Sequence, residues 1–187
     1  SSPSGSSGFL NASDPEVRPF MFGSDDLSLL GDYHALRMIN ERFCRMARSV
    51  FLPFLRIQPR ISSFPPEVKT FDDYTSSAES FMSLTTSRME ELRGSSLLVV
   101  APAFISLLTN SYYGGTAVRS LRRSTGEFTA TEQRVIEIVT EGLMSSMQMA
   151  WRDLTPVSFS VQGHEENMQF ASFVDNSETV IVCTFLV

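Results

Sequence analysis

The stretch "EFTATEQRVIEIVTEGLMSSMQMAW", residues 127–151, decides how the rest of the chain is read. Thr129 and Glu132 have the Thr-x-x-Glu spacing of a capping box, in which each side chain satisfies an otherwise orphaned backbone N–H. Val135, Val139, Leu143, Met147 and Trp151 then recur at steps of four, flanked by Ile136, Ala150 and Leu154, and Pro156 closes the run. That spacing puts the apolar side chains on one face and predicts a long helix. A helix with one apolar stripe needs another layer to cover it. The residues that follow supply strand-like runs, "VSFSVQG", "MQFASF" and "TVIVCTFLV", the last two joined by the turn signal "VDNSE". "QGHEEN" reads as a polar loop between them.

Upstream, the same order recurs. Leu36, Ile39, Phe43, Ala47, Val50 and Phe51 share one face of a helix from about 32 to 52, which Pro53 ends or kinks. "RIQPRISSFPPEVKTF" suggests two modest strands, and "DDYTSSAES" a short helical turn. "FMSLTTSRM" and "SSLLVVAP" bracket "EELRG", a hairpin turn with a glycine exit. Pro102 suits the first turn of a helix carrying Phe104, Ile105, Leu107 and Leu108. Element order alone hints at an α-then-β unit used twice. The expectation is one α/β domain, with long helices packed on a sheet that is at least partly antiparallel.

Bulk properties agree with one domain. The chain has 187 residues, 42% of them hydrophobic and 19% charged. Fifteen phenylalanines suggest a well-filled core. A net charge of −6 argues against nucleic acid, whose phosphates need a basic surface. Cys44 and Cys183 stand far apart, in a helical and a strand-like pattern, and read as buried reduced thiols, with a disulfide as the alternative. "SSPSGSSG" at the start has linker composition and no signal-peptide pattern. A flexible linker over 1–17 and a folded domain over 18–187 are expected. The apolar run from Leu97 to Leu108 is interrupted by Pro102 and Ser106, and is shorter than the roughly 20 residues a membrane helix needs.

Catalytic groupings are hard to find. His34 and His164 have no metal-ligand spacing to a second His or Cys, so no metal site is expected. There is no G-x-S-x-G elbow, no Walker A run and no G-x-G-x-x-G, so no cofactor is expected either. Glu165 and Glu166 read as solvated turn residues. "RSLRR", with Arg119, Arg122 and Arg123, is an exposed basic loop or a contact for an acidic partner surface. Surface recognition remains, and "NSYYGGTAVRS", residues 110–120, is its candidate. Aromatic anchors beside glycines can build a binding loop. The same residues can instead be a glycine C-cap with Tyr112 and Tyr113 packed inward.

Four runs carry a family resemblance: "ALRMINERFCRMAR" (35–48), "ELRGSSLLVVAPAF" (91–104), "YYGGTAV" (112–118) and "EFTATEQRVIEIV" (127–139). Together they resemble the middle domain of the FliM family of flagellar motor switch proteins, over about residues 18–187. The resemblance implies a pseudo-twofold symmetric α/β fold, with long helices on a largely antiparallel sheet, similar to CheC, CheX and FliY. It implies a non-enzymatic part of the cytoplasmic ring at the base of the flagellum, at the inner face of the membrane. Its implied partners are FliG, neighbouring FliM copies, phospho-CheY and FliN. FliG contact would fall on the family's G-G-x-G loop, here Gly114, Gly115, Thr116 and Ala117, with Tyr112 and Tyr113 beside it. Ala117 stands where the family has a third glycine, and alanine tolerates positive φ poorly. Phospho-CheY capture would lie mainly in a segment before the linker, and FliN binding in a domain beyond Val187. "SDDLSLLG" (24–31) superficially resembles the capture segment but is placed as a lead-in to the first helix.

The related CheC-type phosphatases carry Glu and Asn as E-x-x-N, one helical turn apart. None of the five asparagines here (11, 40, 110, 167 and 176) has Glu three residues before it. Arg37 precedes Asn40 at that spacing, and Glu137 is followed by Thr140. Phosphatase action on phospho-CheY is therefore disfavoured.

Overall fold

A computed structural model describes residues 16–23 (backbone), 33–114, 127–171 and 173–187. The strands are β1 (Glu16–Gly23), β2 (Ser62–Ser63), β3 (Glu67–Thr70), β4 (Phe81–Met89), β5 (Gly94–Val100), β6 (Phe159–Asn167) and β7 (Thr179–Leu186). The helices are α1 (His34–Met46), α2 (Leu52–Leu55), α3 (Phe71–Ser77), α4 (Pro102–Tyr112) and α5 (Ala130–Trp151).

All seven strands join one sheet in the order β2-β7-β1-β5-β4-β6, with β3 also on β7 beside β2. Each pairing is antiparallel. The expected antiparallel sheet is therefore present throughout the described residues. The two central strands with described side chains read as apolar runs. Leu97, Leu98, Val99 and Val100 of β5 are buried, as are Val180, Ile181, Val182 and Cys183 of β7. Consecutive buried residues on a strand mean that both faces of the sheet are covered there.

α5 begins as its sequence dictates. Thr129 Oγ1 accepts the Glu132 N–H at 3.1 Å, and Glu132 Oε1 accepts the Thr129 N–H at 3.0 Å. Removing such a cap typically costs about 1 kcal/mol. The expected stripe is buried, from Val135 through Val139, Leu143 and Met147 to Trp151. Leu154 falls beyond the helix and is exposed.

α1 lies against α5 and runs antiparallel to it. Arg42 Nη1 donates to the Ala150 carbonyl at 3.1 Å, and Arg42 Nη2 lies 2.8 Å from Asp153 Oδ2. Eight residues on, Val50 sits over Gly142. The pair rests on the sheet through Phe43 of α1, whose ring meets Phe185 of β7 edge-on at 4.8 Å. Two long helices side by side on one sheet fit the repeated element order.

Several boundaries differ from the sequence reading, each for a local reason. The first helix does not continue to 52. It tightens into a 3-10 turn over Ala47–Phe51 and restarts as α2, with Pro53 in the new first turn. Proline has no N–H to donate in a helix interior but costs nothing in a first turn. At the β4–β5 corner the left-handed residue is Arg93 (φ 53), and Gly94 instead opens β5 opposite Met89. "QGHEEN" is not a loop and Glu165 and Glu166 are not turn residues: they belong to β6, paired along β4. "MQFASF" is not a strand. Asn167 Oδ1 accepts the Gln169 N–H at 2.9 Å and turns the chain into a 3-10 turn, Met168–Phe170. β1 was not anticipated, because Pro19 lies inside it. Its pairing with β7 is irregular between Val17 and Phe20, where a missing N–H is tolerated.

Candidate partner-binding site at the end of α4

α4 starts at Pro102 and buries Phe104, Ile105, Leu108 and Thr109. Thr109 Oγ1 donates back to the Ile105 carbonyl at 2.7 Å, which satisfies a polar group the core encloses. Ser106 Oγ donates to Glu132 Oε2 at 3.3 Å, so the α5 capping box also anchors α4. The same carboxylate thus ties the start of α5 to the first half of α4.

The helix closes with a glycine cap. Tyr113 N–H reaches the Thr109 carbonyl at 3.1 Å and Gly114 N–H reaches Ser111 at 3.3 Å. Gly114 takes φ +62, where a side chain is strained, although among the described residues no atom beyond its chain neighbours lies within 4 Å of where its Cβ would be. The C-cap reading of the glycine therefore holds, but its companion does not: the tyrosines are not packed inward. Tyr112 is 43% exposed and Tyr113 50% exposed. Their rings meet at 84° with centroids 4.9 Å apart, and Tyr112 lies 5.2 Å from the ring of Phe54 in α2. Leu107, one turn back on α4, is also exposed. Half-exposed tyrosines offer large contact area with few rotatable bonds, which suits recognition. Gly115, Thr116, Ala117, Arg119, Arg122 and Arg123 lie outside the described residues, as does "SDDLSLLG".

Phe54 escaped the sequence reading, which stopped the first helix before it. Its only sequence signal is an aromatic residue directly after a proline, which says nothing of what it packs against.

His164 Nδ1 lies 3.1 Å from Thr85 Oγ1 across the β4–β6 pairing. Glu165 Oε1 accepts the N–H groups of Glu166 and Asn167 at 2.8 and 3.2 Å, covering part of the sheet edge. Burial pushes the Glu166 carboxyl above its usual range, with help from the neighbouring Glu127, Glu165 and Glu132 charges. Both cysteines are free thiols; burial raises Cys44 to about 11 and Cys183 to about 12. Among the described residues, no group of three or more His, Cys, Asp or Glu could hold a metal ion. No described helix is long and apolar enough to cross a membrane.

The geometry of a phosphatase centre is missing as well. Asn40 is 1% exposed on the buried face of α1, while Arg37 at the acid's spacing is exposed. On α5, Glu137 is exposed and forms an ion pair with Arg134 at 3.1 Å, but Thr140 is buried.

In fold, the chain is of the class formed by FliM middle domains and FliY. The crystal structure of the FliM middle domain from Vibro alginolyticus matches with a TM-score of 0.69 at 23% identity, covering 81% of this chain and 91% of that one. The FliG-FliM complex from H. pylori matches at 0.71 and 17%, covering 83% and 85%. Thermotoga maritima FliY matches at 0.62 and 14%, covering 88% and 90%. The family model for the flagellar motor switch protein FliM matches residues 32–187, and the chain belongs to that family. The FliM of Pseudomonas aeruginosa is 30% identical over 176 residues, 94% of this chain and 54% of that protein. That of Salmonella typhimurium is 25% identical over 173 residues, 92% and 52%. The chain therefore spans about half the length of these relatives.

Proposed function

We propose that this chain is the middle domain of a flagellar switch protein, a non-enzymatic scaffold that binds FliG through the end of α4. The observation that carries this is the family match over residues 32–187. Within it, Tyr112, Tyr113 and Gly114 form an exposed aromatic helix end, continued in sequence by Gly115, Thr116 and Ala117. The H. pylori relative of the same fold was solved as a complex with FliG. Arg119, Arg122 and Arg123 follow close behind and supply positive charge for an acidic partner face. The domain starts at β1, whose Glu16 and Val17 already pair with β7, and the residues before it act as its tether. It stands in the cytoplasmic ring at the base of the flagellum, at the inner face of the membrane, beside further copies of itself. Phospho-CheY input arrives mainly through a segment N-terminal to the tether, and FliN joins through a domain C-terminal to this one.

The alternative, hydrolysis of phospho-CheY, has no support at the residues that would carry it. A buried Asn40 cannot reach a phosphoryl group, and its helix offers Arg37 in place of the acid. Function follows the site rather than the shared fold.

Titration of the chain with FliG tests the proposal. Exposed aromatic anchors cost more than about 1 kcal/mol when truncated, so Tyr113→Ala should weaken binding by about tenfold. Gly115→Asp should weaken it as well. Unchanged affinity in either variant removes this surface from the FliG contact.

A further inference from the structure

Three rings form a ladder from the core to the surface. Phe54 is 1% exposed, Tyr112 is 43% exposed and Tyr113 is 50% exposed. The centroid steps are 5.2 Å between Phe54 and Tyr112, and 4.9 Å between Tyr112 and Tyr113. Phe54 is too deeply buried to touch a partner. From the geometry we infer that Phe54 is a positioning residue: it sets the orientation in which Tyr112 and Tyr113 are presented to a protein partner. The inference rests on the FliG-binding reading for its partner, and adds a residue and a mechanism to it.

Three observations favour positioning over mere core filling. First, the ring contacts of Tyr112 are with buried Phe54 and with Tyr113, so the pair is joined to the core through Phe54. The glycine cap fixes the backbone direction at the helix end, and these contacts bear on how the rings are turned. Second, aromatic pairs are directional: edge-on and tilted arrangements are preferred over face-to-face ones, and the two steps here are at 46° and 84°. Turning the first ring therefore disturbs the second and third. Third, Phe54 stands on an element that is itself held at several points. α2 follows the 3-10 turn Ala47–Phe51, which is clamped by Val50 against Gly142 of α5 and by Phe51 against Phe104 of α4 at 5.4 Å. Arg48 donates to the carbonyls of Pro59 and Gln58, at 2.9 and 3.0 Å, and holds the segment leaving α2. Phe54 thus refers the tyrosine pair to the frame of the α1–α5 layer. A shift of that layer would reach the partner surface through one ring.

A double-mutant cycle separates positioning from general destabilisation. FliG affinity is measured for wild type, Phe54→Leu, Tyr112→Ala and the double variant. Coupled contacts give about threefold to more than tenfold non-additivity. Phe54→Leu alone should weaken binding several-fold, yet have little further effect once Tyr112 is alanine. Tyr112→Phe, which keeps all three rings, should bind within about twofold of wild type. Additive losses in the cycle overturn the inference.

A partner-free measurement keeps the matter decidable. Ring proton resonances of Tyr113 should move in Phe54→Leu, while those of distant β6 residues stay in place. If Phe54→Leu does not fold, Tyr112→Leu breaks the ladder at a half-exposed position, and the Tyr113 rings should move there. Unmoved Tyr113 resonances overturn the inference whatever FliG does. If wild type does not bind FliG, or Tyr113→Ala binds as wild type does, the FliG reading fails. The ring resonances then decide the role of Phe54 by themselves.

Discussion

At the level of single residues, burial decides behaviour more than residue type. Tyr112 and Tyr113 are neighbours of the same type, and the sequence could not say whether they packed inward; the structure leaves both half-exposed. The two cysteines show the opposite case, where pattern alone placed them correctly. Cys44 falls on an apolar helix face and Cys183 within a strand of consecutive apolar residues, and both are buried thiols. Their burial has a pH consequence with a definite sign. Burial raises Cys183 from 9.0 to about 12 and Cys44 to about 11. Below pH 9 both folded and unfolded thiols are protonated, and the contribution to stability is fully present. Above pH 9 the unfolded thiols ionise first, so stability falls until the folded thiols ionise too. Each thiol accounts for up to about 1.4 kcal/mol per pH unit in that window. Urea unfolding between pH 8.5 and 10.5 should show a steeper decline for wild type than for Cys183→Ala. Parallel declines would mean that the thiol is not shielded as described.

Among the secondary-structure elements, the sequence was most informative where local signals and tertiary packing agree. α5 carries its own cap, its own stripe and a proline beyond its end, so both its start and its face could be read. β6 could not. Gly163, Glu165 and Glu166 are poor strand formers, and only pairing with β4 makes the segment extended. β1 was hidden for the same reason, its Pro19 being tolerated by a bulged pairing that no local signal announces. The contact between α5 and the 3-10 turn gives the sharpest element-level test. A Cβ at Gly142 would lie 2.9 Å from Val50 Cγ1 and 3.0 Å from Cγ2. Those atoms belong to a clamped segment and have little room to move. Alanine gains about 1 kcal/mol of helix propensity over glycine, and overpacking typically costs about 1–3 kcal/mol. Gly142→Ala should therefore lower the unfolding free energy slightly in wild type. In a Val50→Ala background, where the obstruction is gone, the same change should raise it. Equal effects in both backgrounds would show that the helices do not meet there.

For the molecule as a whole, the described residues form a seven-stranded antiparallel sheet packed with helices, and the proposed recognition surface lies at one corner. The fold class was legible because two long helices with apolar stripes and many short strands leave few ways to bury those stripes. The corner was only half legible. Glycines announced the end of α4, but nothing local revealed that Phe54, some sixty residues earlier, would sit beneath Tyr112. Long-range packing of that kind depends on the whole sheet and helix layer being in place. The central claim is that FliG meets the protein at this corner. Amide hydrogen exchange on the chain, with and without FliG, tests it most directly. The account predicts that FliG slows exchange at residues 109–114 and leaves β6 unchanged. Slowing confined to β6 or to α5, with residues 109–114 exchanging as in the free protein, would contradict it.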